Sequence, residues 1–231
     1  MKNRYFLTLL LFVLVFGACK KDAEEKIEAT RMKLVDKLEK LDVPEAMKNS
    51  SNSNAQQAVS YVDMVKGVAD YFSWFEVPEG AVRSKSTDEV YFWTYNGVTV
   101  WETLSETSTS YKWTIEIDTG SGKIKAYELE EKKDGSYGVL KVFNESGSSA
   151  IYTYEWTFDS AGNGSIIWKD ATESFVYDVT VNVNKSGEAK WISNGDLFYH
   201  FSWNSDGSGS YYYYGDNGEV LLSESWTVND L

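Results

Sequence analysis

The sequence predicts a mainly β protein, in which an antiparallel meander of about twelve short strands forms a barrel or a curled sheet after two N-terminal helices. From residue 89 onward, aromatic and β-branched residues alternate with polar ones, as in strands with one apolar, buried face and one polar, solvent-exposed face. Turn signals such as Asn96-Gly97 recur about every ten residues in this region. Both prolines, Pro44 and Pro78, precede it, and proline cannot donate to a strand ladder.

The first helix is predicted within residues 20–43, a segment rich in charge. Its apolar residues fall on one helical face: Ile27, Leu34, Leu38 and Leu41. We expect this helix either to form a stalk that lifts the body off a membrane or to dock on the body. A polar linker follows at 49–54, and Ser53 and Gln56 stand at the spacing of a capping box.

The second helix is predicted to begin at Ala55 and to run for about 20 residues until Pro78 stops it. Its apolar stripe is broad and consists of Tyr61, Val65, Val68, Phe72 and Phe75, widened by Ala58, Val62 and Ala69. Such a face must be buried, and the aromatic face of the following strands needs cover. We therefore expect this helix to pack on the sheet.

The strand region alternates most clearly in four segments. Their apolar positions are Tyr111, Trp113, Ile115 and Ile117; Tyr152, Tyr154, Trp156 and Phe158; Phe175, Tyr177, Val179 and Val181; and Leu197, Tyr199, Phe201 and Trp203. An aromatic-x-Trp motif recurs at 111–113, 154–156 and 201–203, which we interpret as recurrent hairpin chemistry rather than a propeller or solenoid repeat. A meander this long must curl, and closing into a barrel or folding into two layers would remove its exposed edges.

The N-terminus has the features of a secretion signal. Two positive charges precede Tyr5, an apolar run extends to Phe16, and small residues stand before Cys19, the only cysteine. The apolar run is shorter than a membrane-spanning helix requires. This pattern predicts cleavage that leaves Cys19 as the first residue of the mature chain.

The segment around Cys19 resembles the lipobox of bacterial lipoproteins, although Phe16 stands where that family usually has a small or β-branched residue. The resemblance implies that the thiol of Cys19 receives a diacylglyceryl group, that the signal is removed and that the new amino terminus is acylated. Two or more acyl chains give stable anchoring to a membrane. Residues 20–25 resemble the lysine-then-acid tag of Bacteroidota lipoproteins displayed on the cell surface.

Four segments result from these patterns. They are a lipoprotein signal peptide at 1–18, a lipid-anchored charged helix and linker at 19–53, an amphipathic helix that packs on the sheet at 54–80, and an antiparallel β meander domain at 81–231. Loss of Lys2 and Arg4 with the signal changes the formal charge from −13 to −15. A surface this acidic, without clustered Lys or Arg, argues against nucleic acid or anionic lipid headgroups as the main partner.

No catalytic constellation is visible in the sequence, and no cofactor or metal site is predicted. His200 is the only histidine, and its neighbours place it on the wetter face of its strand. The segment 204–209 resembles the start of an EF-hand calcium loop, with oxygen-bearing side chains at alternate positions and a glycine at the sixth. The twelfth position, where a bidentate glutamate should complete the calcium coordination, is Gly215. We expect a hairpin turn there instead. Paired carboxylates two residues apart, such as Glu116 and Asp118, are expected by chance in a chain with 35 acids.

The run Tyr211 to Tyr214 is the strongest candidate for a binding surface. Alternation forces Tyr211 and Tyr213 onto one face and Tyr212 and Tyr214 onto the other. With the flanking residues Trp203 and Trp226, the tyrosines could stack on sugar rings or contact a protein partner. The competing interpretation is that they pack under the second helix or along a barrel wall.

These patterns favour a lipid-anchored lipoprotein of the outer membrane or cell surface that acts as a non-enzymatic binding or assembly module. The alternative is a carrier that holds an apolar ligand in an aromatic concavity, as in lipocalin-like or lipoprotein-carrier folds. A glycan-active enzyme is the third hypothesis. Expected partners are the membrane, through the anchor, and a glycan, an apolar ligand or a protein. Whether the protein faces the periplasm or the exterior is open.

Overall fold

The computed structural model describes residues 32–68, 76–83, 89–118 and 120–230. The chain divides into two units, residues 1–32 and residues 33–231, and every described helix and strand belongs to the second. The predicted signal peptide, Cys19 and Ile27 lie outside the described residues, as do Ala69, Phe72 and Phe75 of the second predicted helix.

The sheet contains thirteen antiparallel strands in strictly sequential order, so that each strand pairs with its neighbours in the chain. The strands are β1 (Val82–Arg83), β2 (Glu89–Tyr95), β3 (Val98–Glu106), β4 (Ser110–Asp118), β5 (Lys123–Lys132), β6 (Tyr137–Phe143), β7 (Ala150–Phe158), β8 (Gly164–Asp170), β9 (Val176–Val181), β10 (Gly187–Ser193), β11 (Asp196–Trp203), β12 (Gly209–Tyr214) and β13 (Val220–Trp226). The mainly β meander that the sequence predicts is confirmed. The sheet is not closed, because β1 and β13 form its two ends.

The two faces of the sheet differ in chemistry, as alternation requires. One face, here called the helix face, carries the buried core: Ile115, Leu129, Leu140, Ile166, Val179, Ala189 and Phe201. The opposite face, here called the outer face, carries ion pairs such as Lys112 with Glu128 and Lys169 with Glu155. The helix face is therefore apolar and buried, and the outer face is polar and more exposed to solvent.

In the part of the chain that the structure describes, three helices precede the sheet: α1 (Lys33–Leu38), α2 (Glu45–Lys48) and α3 (Ser53–Gly67). The predicted helix within 20–43 is wrong at its C-terminal end, because α1 stops at Leu38 and its last turn tightens into i→i+3 bonds such as Leu41 N–H to the carbonyl of Leu38. Two features beyond Leu38 oppose a longer helix. Asp42 forms ion pairs with Lys48 and Lys185, and a residue before proline, here Val43, is sterically disfavoured in the helical conformation.

The α1 segment docks on the body instead of standing clear as a stalk. Leu34 and Leu38 are buried. The carboxylate of Glu131 on β5 accepts hydrogen bonds from the backbone N–H groups of Lys33 and Leu34, each at 2.9 Å, and so caps the start of the helix from the sheet. The sequence allows this helix to be either a stalk or a docked helix, and its described residues are docked on the sheet.

The cap of α3 differs from the predicted capping box. Asn52 is the N-cap, and its side-chain oxygen accepts from the N–H groups of Asn54 and Ala55. Gln56 instead donates to the carbonyls of Met47 and Lys48, and thereby ties α3 to α2.

The body of α3 packs against β9, β10 and β11, as expected. Ala55, Ala58, Val62 and Val65 are buried. The Tyr61 ring lies 5.3 Å from the ring of Tyr177 and 5.5 Å from that of Phe201. The buried hydroxyl of Tyr154 donates to the carbonyl of Val65, one of the carbonyls near the helix end that the helix itself leaves free.

Cross-strand pairs of glycine and tryptophan recur along the helix face. Gly187 lies opposite Trp203 and Gly209 opposite Trp226, and each indole folds over its glycine. The indole N–H of Trp203 donates to the carbonyl of Lys185 at 2.8 Å, within the hairpin turn that precedes the glycine. Trp226 repeats this bond with the carbonyl of Gly207 at 2.6 Å.

Gly187 has a packing role rather than a turn role. Ser186-Gly187 has the composition of a hairpin turn, but the residue with positive φ in that turn is Lys185. A Cβ on Gly187 would lie 2.6 Å from Cζ2 of Trp203, so the glycine is required by the approach of the ring. Gly138 and Trp156 form a third pair of this kind.

Candidate ligand-binding surface

Five aromatic side chains form one register row across β8 to β12 on the helix face. This aromatic row consists of Trp168, Tyr177, Trp191, Tyr199 and Tyr213, and each member is the direct cross-strand partner of the next. The successive ring centroids are 5.8, 6.0, 5.1 and 5.3 Å apart, with interplanar angles of 22°, 21°, 27° and 25°. These distances and angles fit offset stacking.

The aromatic row lies at the margin of the core. On β8 to β11 the next helix-face positions, Ile166, Val179, Ala189 and Phe201, are buried, whereas Tyr211 on β12 is half-buried. Each ring of the row is only half-buried. At one end the row meets buried Tyr154, and at the other it meets exposed Leu222 on β13. The row is thus a partly accessible aromatic strip that leads to the last strand of the sheet.

The row combines apolar rings with polar atoms. Burial raises the pKa of Tyr177, so its hydroxyl stays protonated and can donate at neutral pH. The indole nitrogen of Trp191 is buried and has no hydrogen-bond partner among the residues that the structure describes. Aromatic groups with one apolar side and one polar end are common at binding surfaces.

The tyrosine run lies as alternation predicts. Tyr211 and Tyr213 are on the helix face, where Tyr211 lies 4.9 Å from the ring of Phe201. Tyr212 and Tyr214 are on the outer face, and Tyr212 is the cross-strand partner of His200. All four rings are half-buried. Within the run, the structure therefore brings only Tyr213 into the aromatic row, with Tyr211 packed beside it.

The two tryptophans that the sequence groups with this run have a different role. Trp203 is 3 % exposed and Trp226 is 1 % exposed. Each ring is covered by its glycine partner and bonded to a turn carbonyl, so neither offers a face to a ligand. Trp203 and Trp226, which the sequence suggests as ligand contacts, are therefore packing residues in the structure, because each ring is buried against the backbone of its glycine partner.

His200 lies on the outer face, as expected, and is part of a charged cluster. Its Nε2 is 3.0 Å from an Oε2 of Glu188, and the other oxygen of that carboxylate accepts from Lys190 at 2.6 Å. Burial raises the pKa of Glu188, but Lys190 and His200 together hold it below its usual range. Burial raises the pKa of nearby Asp178, against the opposing charge of Lys190. Both oxygens of the Glu188 carboxylate are thus engaged within the cluster.

Two buried carboxyls were not singled out from the sequence. Glu131 is 2 % exposed, and burial raises its pKa to about 7 despite its two helix N–H donors. Glu102 is also 2 % exposed, and burial raises its pKa to about 8. One oxygen of Glu102, Oε2, accepts no hydrogen bond from any described residue. Both interrupt apolar positions of a strand, at Val100-x-Glu102-x-Leu104 and Leu129-x-Glu131, which is the signal that could have revealed them.

Within the described ranges, no group of three or more His, Cys, Asp or Glu side chains is placed to hold a metal ion. The segment 204–209 is the hairpin turn between β11 and β12, where Ser208 donates to Asp206.

No helix among the described residues is long and apolar enough to cross a membrane. Cys19, the expected lipidation site, lies outside the described residues. No protein-family model and no curated protein matches the chain significantly.

Proposed function

We propose that this protein is a lipid-anchored, non-enzymatic binding module of the outer membrane, and that the aromatic row on the helix face is its recognition surface. The observation that carries the proposal is the register alignment of five half-buried rings over five neighbouring strands. The lipobox-like segment that ends at Cys19 supports the anchor, and the acidic tag at 20–25 supports display towards the cell exterior.

The ligand class that fits the aromatic row best is a neutral, extended glycan. Sugar rings offer C–H groups that can contact the accessible parts of the stacked rings, and hydroxyl groups that can pair with the phenol groups of the row. The rings repeat every 5.1 to 6.0 Å along the row, a spacing similar to that of successive sugar rings in a linear chain. A net charge of −13 disfavours polyanionic chains.

Calorimetry measures binding to the row, and tryptophan fluorescence supplements it, because two of the nine tryptophans, Trp168 and Trp191, lie in the row. The probes are the neutral hexasaccharides cellohexaose, xylohexaose and maltohexaose. We expect Tyr199→Ala to weaken binding of the preferred chain by at least about tenfold, the usual effect of losing a central aromatic contact. Tyr212→Ala is the matched control, since its ring lies on the outer face of the neighbouring strand.

The proposed recognition surface is refuted if Tyr212→Ala weakens binding as much as Tyr199→Ala, or if none of the hexasaccharides binds. Binding of a fatty acid or another apolar probe, with no response to the sugars, would support the carrier hypothesis instead.

The anchor is tested separately by membrane fractionation. We expect Cys19→Ala to leave a folded protein that no longer sediments with membranes after a carbonate wash, because acyl chains provide the attachment. Retention of the variant in the washed membranes would contradict lipid anchoring. The result does not depend on what the aromatic row binds.

A further inference from the structure

The last strand of the sheet presents an unpaired edge. β13 pairs with β12 on one side, and no described strand pairs with its other side. A strand in this position exposes a row of backbone N–H and C=O groups that can template another strand. The opposite end of the sheet is different, because β1 has only two residues and one of them is Arg83. A short, charged end strand is a common protection against pairing.

The side chains of β13 add an apolar surface to this edge. Val220, Leu221 and Leu222 are 52 %, 55 % and 45 % exposed, although they are three consecutive large apolar residues. The strand reads VLLSESW and contains neither lysine nor proline, two residues that natural edge strands use against association, although a β-bulge at Leu221 interrupts its pairing with β12. Leu222 is the cross-strand partner of Tyr213, so the edge also continues the aromatic row.

The C-terminal segment that contains this edge carries charges of one sign. From Trp191 to the C-terminus the sequence contains no lysine or arginine, and its acidic residues are Asp196, Asp206, Asp216, Glu219, Glu224 and Asp230. Glu219 and Glu224 flank the exposed apolar residues of β13. A second copy of this chain would bring the same acidic edge against itself, whereas a basic segment would be attracted.

We propose that the outer side of β13 binds an extended segment of a partner protein, which alternates apolar residues with lysine or arginine and adds a fourteenth strand to the sheet. Main-chain hydrogen bonds supply affinity in this mode of recognition, and alternate side chains supply specificity. The cations of the added strand lie on the helix face near Glu224, the partner of Tyr211, and its apolar side chains lie on the outer face beside Val220, the partner of Tyr214. This site adjoins the aromatic row at Leu222 but does not use the rings assigned to the glycan contact.

Hydrogen exchange of the full chain in detergent tests the proposal with a defined probe. The probe is an acetylated and amidated peptide of four alternating lysine-valine pairs. We expect it to slow amide exchange within 220–226. Two control peptides, one with glutamate in place of lysine and one N-methylated at every residue, should leave exchange there unchanged, because the first lacks the positive charge and the second lacks the backbone donors.

Matched variants locate the effect. Leu222→Lys places a cation at the centre of the edge and should weaken peptide binding by at least about tenfold. Val183→Lys makes the same kind of change at an apolar side chain that is 63 % exposed in the turn between β9 and β10, and should bind as the unmodified protein does. Thermal melts of the two variants establish that both are folded.

Three results would overturn the proposal. The first is unchanged exchange within 220–226 at saturating lysine-valine peptide. The second is equal protection by the glutamate-valine peptide, which would remove the argument from charge. The third is concentration-dependent dimerisation of the unmodified protein that Leu222→Lys abolishes, because a second copy would then be the occupant of the edge.

Discussion

Replacement of Glu102 by glutamine should make the protein more stable at alkaline pH and remove much of its pH dependence. The Glu102 side chain is 2 % exposed in the core beneath the helix face, and one carboxyl oxygen accepts no hydrogen bond from the described residues. Burial disfavours the charged carboxylate and raises its pKa from 4.5 to about 8. Glutamine keeps the shape and removes the charge.

The sign and size of the effect come from that difference in pKa. Below pH 4.5 the carboxyl is neutral in the folded and the unfolded chain, so the full stability is present. Between 4.5 and about 8 the unfolded chain releases its proton first, and stability is lost as the pH rises. The difference corresponds to at most about 5 kcal/mol, and structural relaxation and water penetration reduce it to about 2–4 kcal/mol.

Urea denaturation at pH 4.5, 6, 7 and 9 measures the effect. We expect the gain in unfolding free energy from Glu102→Gln to be small at pH 4.5 and to increase up to pH 9. A shallower dependence should remain below pH 7, because burial also raises the pKa of Glu131 to about 7. Glu145→Gln, in an exposed turn, is the control. Parallel curves for Glu102→Gln and the unmodified protein would show that Glu102 ionises in the folded state without cost, and would refute the argument.

Two further substitutions test packing. In the urea titration, Gly209→Ala should lower the unfolding free energy by about 1–3 kcal/mol, because the new Cβ would lie 2.3 Å from Cζ2 of Trp226. Gly67→Ala is the control and should not destabilise the protein, because a Cβ there would have no atom within 4 Å. Leu34→Ala should lower the unfolding free energy by about 2–5 kcal/mol, because Leu34 is 0 % exposed. Asp36→Ala, on the exposed side of α1, should change it by less than about 0.5 kcal/mol. Equal effects of the two substitutions in thermal melts would mean that α1 does not dock.

The meander could be predicted from the sequence because the two-residue period and the turn residues are local signals. Asn96-Gly97, for example, has positive φ at both positions, as a tight hairpin requires. The two-residue strand β1 could not be predicted, since Val82 and Arg83 are too few to show alternation. The end of α1 depends on contacts distant in sequence, including the ion pair of Asp42 with Lys185, which no periodicity encodes.

The candidate site was less accessible to sequence reasoning than the fold. Alternation assigns Tyr199 and Tyr213 to one face, and the structure agrees. It does not reveal that Trp168 and Trp191 share their row, because alignment across several strands depends on every intervening turn and bulge, such as the bulge after Trp191. The burial of Trp203 and Trp226 was missed for the same reason, since their glycine partners are identified only by register.

The strictly sequential order of the strands has a consequence for how the molecule forms and changes. Every ladder joins segments that are adjacent in the chain, so each hairpin can close over a short loop and provide a surface for the next one. Mechanical extension from the C-terminus should peel strands away one or two at a time rather than in a single rupture. The same architecture would let evolution lengthen or shorten the protein by whole hairpins, in the manner of linear repeat proteins, without rebuilding what is already in place.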